Sequence, residues 1–139
     1  LIPTLSTKHS VKPVHSLSEI KELKSNFKEN IKQFSVYLND QIVAGTTIFQ
    51  TKNVAHVQYI GSTTDKNSLG SLDFLFYKLI KDYYSNFKYF DFGNSHENEG
   101  LKINQGLNYW KEGYGARSLT HDFYLIDTSS FDKLNDILV

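Results

Sequence analysis

Between Ser16 and Ile31 the apolar residues Ile20, Leu23, Phe27 and Ile31 recur at helical spacing, and Ser16 or Ser18 is placed to act as N-cap. This predicts an amphipathic helix. Three β-rich runs follow, 33–39, 42–50 and 54–61, separated only by the polar breaks Asp40-Gln41 and Thr51-Lys52-Asn53. Such spacing predicts consecutive hairpins, hence a three-strand antiparallel meander. After a Ser/Thr/Gly-rich break, apolar residues at 72, 75, 76 and 79, with Asp73 in the first turn and Lys81 towards the end, predict a helix over 71–84. The strand 87–93 comes next. Strand 54–61, helix 71–84 and strand 87–93 therefore form a βαβ crossover with parallel strands. A shorter helix near 100–111 and a strand within 117–127 complete the body, and the tail from Ser129 reads either as a capped helix or as a strand.

The chain has 139 residues, 40% of them apolar and 14% aromatic, which fits one globular domain, residues 1–139, with a genuine core. Lys+Arg and Asp+Glu both total 15, and Arg117 is the only arginine. That composition lacks the clustered basic face needed to bind nucleic acid, so DNA is not an expected partner and tRNA is disfavoured. No stretch approaches the roughly 18 apolar residues of a membrane span, and no signal peptide opens the chain, so a cytoplasmic, soluble domain is expected. The absence of cysteine excludes disulfides, thiolate metal sites and a cysteine nucleophile. Because the chain begins at Leu1 and contains no Met, it is expected to be the C-terminal part of a longer protein.

The stretch FDFGNSHENEG, residues 90–100, passes from an apolar strand through Gly93 into a loop of amides, a histidine and glutamates. A polar cluster at a strand end either caps the next helix, through Ser95, Asn98 or Glu99, or forms the rim of a site. Asp91 alternates with Phe90 and Phe92 and so faces away from those rings, as a base or as a hydrogen-bonded carboxylate. His56 and Gln58 are polar positions in a predicted central strand. There they must be satisfied or functional, since an unpaired buried polar group costs about 1–3 kcal/mol. Strict alternation puts His56, Gln58 and Ile60 on one face and Ala55, Val57 and Tyr59 on the other. The five histidines follow no metal spacing, and no metal is expected.

The order helix, three antiparallel strands, helix, parallel strand, helix, together with the segment 89–117, resembles the GCN5-related N-acetyltransferase (GNAT) fold over about residues 16–127. More narrowly, FDFG followed by Lys111, Tyr114 and Gly115 resembles the branch related to the Fem-type peptidoglycan aminoacyltransferases. The resemblance implies a mixed α/β fold with helices on both faces of a mixed sheet. It also implies an acyltransferase site where strands 54–61 and 87–93 splay apart at their C-terminal ends. The implied donor is acetyl-CoA or another acyl-CoA, and the acceptor a small-molecule amine, on a sugar or cell-envelope precursor. Attack by an amine on a thioester asks for a base, for oxyanion donors and for an acid. His56, Asp91 and Glu97 are the candidate bases, with His96 beside Glu97; Tyr109 and Tyr114 are candidate acids. The implied donor-binding set is Gln58, Tyr59, Ile60, Gly61 and Ser62 on the strand, Gly70 and Ser71 before the crossover helix, Gly93, Asn94 and Ser95 at the mouth, and Asn104 and Lys111 beyond it. Of the family's phosphate-cradling pattern the aligned 65–70 keeps only Gly70, and Asp73 opposes a phosphate. Two alternatives stay open: a Fem-like transferase using aminoacyl-tRNA, and a binding domain without catalysis.

Overall fold

A computed structural model describes residues 14–63 and 69–136. Ser16 starts the first helix through a capping box. Its hydroxyl accepts the Glu19 amide at 3.3 Å, and the Glu19 carboxylate accepts the Ser16 amide at 2.6 Å. Helix α1 spans Leu17–Asn26 and buries none of its own residues. It stops short of the predicted Ile31. The Phe27 backbone leaves the helical region, and the Lys24 ammonium donates to the carbonyls of Lys28 and Ile31, closing the last turn. Ile31 is buried instead as the first residue of a strand, paired with Phe49.

The meander forms as predicted. Strands β1 (Ile31–Leu38), β2 (Gln41–Gln50) and β3 (Val54–Ser62) are antiparallel neighbours, and β4 (Tyr89–Asp91) joins β3 in parallel, giving the order β1-β2-β3-β4. Between β3 and β4 runs helix α2 (Ser71–Lys78), extended by a π-helical turn over Leu79–Tyr83. That wide turn carries one more residue than an α-helical one. Its effect is that Tyr84 enters the core and donates to Gln50 Oε1 at 3.0 Å, while Tyr83 stays exposed. Burial pushes the Tyr84 phenol well above its usual range.

The core lies between the sheet and α2. Ala44, Ile48, Ala55, Val57, Leu75, Phe76, Leu79, Tyr84 and Phe92 form one buried cluster, with Phe76 at its centre. The opposite face of the sheet meets the chain just before α1, where the His15 ring accompanies Phe49 and Tyr59. The segment leading into α1 thus lies on the face opposite α2.

After β4 a short hairpin of β5 (His96–Glu97) and β6 (Lys102–Ile103) precedes helix α3 (Gln105–Glu112). The helix expected near 100–111 therefore begins five residues later, because Asn98 and Glu99 turn the chain with positive φ and send it back as a hairpin. Trp110 and Tyr114 at the end of α3 pack on Phe76 and Phe92.

The strand expected within 117–127 does not form. A strand needs a neighbour for its amides and carbonyls, and no described strand receives this segment. Leu119 and Phe123 to Ile126 remain exposed, Leu125 fully at 101%. Of the two readings of the tail, the helical one is closer: Thr128–Asp136 is a 3-10 helix.

Candidate functional site

The parallel ladder between β3 and β4 is short, joining Val54 to Tyr89, Ala55 to Phe90 and His56 to Asp91. β3 runs on to Ser62, whereas β4 ends at Asp91. From Val57 to Ser62 the β4 side of β3 has no strand partner among the described residues. A bulge sits at the point of parting: Thr47 pairs with Tyr59 but Ile48 with Val57, leaving Gln58 as the extra residue. Bulges bend the strand and re-aim its side chains.

The bulge corrects the face assignment made from alternation. Directly paired residues share a face. Tyr59, opposite Thr47, therefore lies on the side of His56, which is opposite Phe49, while Ile60 turns towards the core cluster. An inserted residue reverses the parity of everything after it, and Gln58 carries no sequence mark of that.

His56 and Asp91, the last paired residues, point to the same face, where His56 Nδ1 stands 2.6 Å from Asp91 Oδ2. Asp91 Oδ1 accepts the Gly93 amide at 2.7 Å. Burial raises the Asp91 carboxyl, but the His56 bond, the Gly93 amide and the charges of His56 and Lys111 together hold it below the usual carboxylate range. A carboxylate accepting at Nδ1 requires the proton there, and in the neutral ring this leaves the Nε2 lone pair free. The ring is about one third exposed, so Nε2 has access to solvent or substrate.

Gly93 sits at φ +68, a conformation that strains any residue with a side chain. A Cβ there would also meet His56 Cε1 at 3.4 Å. The turn therefore lies directly against the imidazole. Beneath it, Lys111 Nζ donates to Gly93 O at 2.9 Å and Asn94 O at 2.6 Å, and the residue is only 6% exposed. Burial pushes its ammonium down while Asp91 pulls it up, and burial prevails.

The remaining candidates scatter. Glu97 belongs to the hairpin, where it accepts from Asn104 Nδ2 at 2.8 Å and pairs with Lys102 at 3.4 Å; His96 beside it is exposed. Neither Ser95 nor Asn98 caps the next helix. Asn104 does, accepting the Leu107 amide at 2.9 Å, while Ser95 O receives the Asn104 amide at 2.8 Å. The intervening hairpin moves the helix start beyond their reach. Tyr109 is 79% exposed on α3. Gly61 pairs with Gly45, and Ser62 with Ala44, at the open end of β3.

At the start of α2, Gly70 is a left-handed N-cap that offers no side chain to the first amides. Ser71 is buried, and its Oγ has no hydrogen-bond partner among the described residues. Asp73 accepts the Tyr114 hydroxyl at 2.6 Å. Burial and then Asp73 raise the Tyr114 phenol above its usual range, which makes it a poor proton donor to anything else. Most of the segment 65–70 lies outside the described residues.

Sequence reasoning missed His15, whose Nδ1 stands 2.7 Å from Tyr59 Oη on the face of His56, and Thr46, whose hydroxyl donates to Tyr59 O at 2.8 Å. Only the position of His15 just before the capping serine could have hinted at the first.

Residues 7–119 match the family described as acetyltransferase (GNAT) domain. No curated protein matches the sequence. Among solved structures the fold is similar to an aminoglycoside acetyltransferase from an uncultured soil metagenomic sample, in complex with trehalose. The TM-score is 0.59 at 16% identity, over 91% of this chain and 86% of that one.

Proposed function

The chain belongs to the acetyltransferase (GNAT) domain family, an acyltransferase, and from that premise we propose that it moves an acetyl group from acetyl-CoA to an amine, with His56 as base. The observation that carries this reading is the His56 and Asp91 pair at the last rung before β3 and β4 part. Nε2 takes a proton from the incoming ammonium, so that the neutral amine attacks. Asp91 fixes the ring's tautomer and offsets the positive charge that His56 acquires. The Fem-type branch, the acceptor class and the donor all belong to this proposal.

The donor's chemistry is that of a thioester: its carbonyl carbon would receive the amine as its C–S bond breaks, and coenzyme A would leave as the thiol, carrying the proton that the amine nitrogen gives up. The residues present fit such a group in two places. The side of β3 from Val57 to Ser62 that no described strand covers offers backbone groups to an extended amide chain, beginning next to His56, the last residue paired with β4. The start of α2 offers a phosphate its first amides and the Ser71 Oγ, for which the described residues supply neither a side-chain cap nor a hydrogen-bond partner. Asp73 in the same turn is engaged by Tyr114 rather than aimed freely at that position. An amine on a sugar is the favoured acceptor, in keeping with the description of the similar structure.

Titrating acetyl-CoA and longer acyl-CoAs while following thermal unfolding tests the donor. At a hundred times its Kd the donor is expected to add about 2.7 kcal/mol, a rise of several degrees. An unchanged transition with every acyl-CoA would overturn it. The second reading, an aminoacyl-tRNA donor, draws on Asp73 at the helix start and on the Lys111, Tyr114 and Gly115 pattern. The zero net charge and single arginine weigh against it. Salt-dependent binding of tRNA would favour it over acyl-CoA.

A further inference from the structure

Lysine is rarely buried without a carboxylate partner, yet Lys111 is buried with its ammonium on two backbone carbonyls of another element. A cation in the last turn of α3 also complements that helix's own dipole. The dipole does not explain where the side chain reaches. Both carbonyls belong to the turn after β4, whose amide, from Gly93, is accepted by Asp91. The same turn packs on the His56 ring, since a Cβ on Gly93 would come within 3.4 Å of Cε1. One short piece of backbone therefore touches both members of the pair, and Lys111 is what fastens it.

We infer that Lys111 is a positioning residue, holding the Gly93 and Asn94 carbonyls so that the turn orients Asp91 and, through it, the His56 imidazole. This rests on the reading of His56 as base. The arrangement differs from donor binding, because two of the ammonium's three protons are spent on the turn. Among the described residues, the charged and titratable groups on the elements around the pair are Lys111 from α3, and His15 and Tyr59 on the face of His56, where they bond each other. Asp73 and Tyr114 are occupied together at the start of α2. Of these, Lys111 is the one whose charge helps to keep Asp91 ionised.

Lys111→Met keeps the stem and removes the ammonium. It is expected to lower kcat about 100-fold, the scale of a misplaced reacting group, with little change in KM. The acid limb of the kcat profile should move to higher pH, and the Asp91 carboxyl, followed by carbon NMR, should titrate at higher pH than in the wild type. Lys111→Gln, which keeps a donor for one carbonyl but no charge, should show the same upward shift of Asp91 with a smaller loss of kcat. A variant that is folded, has wild-type kcat and leaves Asp91 unmoved would overturn the inference. So would failure of both variants to fold, which would make Lys111 a stability residue. If His56→Ala retains wild-type kcat, the reading of His56 as base fails, while the amide chemical shifts of Gly93 and Asn94 in Lys111→Met, which need no turnover, still decide whether Lys111 holds the turn; unmoved shifts would overturn the inference.

Discussion

His56→Ala is expected to lower kcat for acetyl transfer by roughly 10²- to 10⁴-fold, the range in which general bases contribute, while leaving the melting temperature nearly unchanged. The stability cost is small because the ring is partly exposed and its partner is about half exposed, so water replaces what the pair supplied. The pH dependence follows from Asp91. Its carboxyl is held below the usual range in the fold, so the stability it contributes is present above the usual carboxylate pKa and is lost as pH falls through the lowered one. The pair therefore stays intact well into mild acid. Steady-state rates across pH, with circular dichroism to verify folding, check the prediction; a His56→Ala enzyme within threefold of wild type would remove His56 from the chemistry.

Phe76→Ala is expected to cost about 3–5 kcal/mol, the range for deleting a core aromatic side chain. Phe76 is fully buried, and its ring lies 5.3 Å from Phe92, 5.4 Å from Trp110, 5.8 Å from Tyr114 and 6.3 Å from Phe90. Those rings bring α2, β4 and α3 together behind the site. The cavity cannot close by a local shift, since three elements rest on the same side chain. Against a typical domain stability of about 5–15 kcal/mol, much of the native population is at risk. Urea unfolding measures it directly. A loss below about 1 kcal/mol would mean that the elements are held together elsewhere.

The fold was legible where one periodicity governs a whole element. The β-rich runs 33–39, 42–50 and 54–61 and the helix over 71–84 each turn apolar side chains towards one core cluster, and their order, with the parallel fourth strand, pointed to the acyltransferase family. Legibility failed where a single residue changes the phase. The bulge at Gln58 and the π-helical turn after Lys78 shift which side chains face inward, and neither has a compositional sign. It also failed where long-range contacts decide: Ile31 fits the helical spacing of its own segment but is claimed by Phe49 across the sheet. The segment 117–127 has the composition of a strand, but a strand exists only with a partner, which local sequence does not supply.

The candidate site was legible in part for a related reason. Asp91 was placed by its alternation with two phenylalanines, and His56 by its polarity in a central strand, but nothing in the sequence joins positions 56 and 91. Their register in the parallel ladder does. Glu97 looked equally suitable as a base because its loop reads as a strand end; the turn at Asn98 and Glu99 instead folds it into a separate hairpin, where Asn104 and Lys102 engage it.

Amide hydrogen exchange with and without acetyl-CoA tests most directly where the donor lies. Exchange slows where a bound chain takes up backbone groups that were open to water. The expected result is protection along β3 from Val57 to Ser62 and at the first amides of α2 after Gly70, with β1 unchanged. A groove of about 500 Å³ at the far edge of the sheet, lined by Phe34, Val36, Phe74, Leu79 and Tyr83, offers the alternative location. Protection confined to that groove, or none between Val57 and Ser62 at a saturating donor concentration, would contradict a donor seated where β3 and β4 part beside His56.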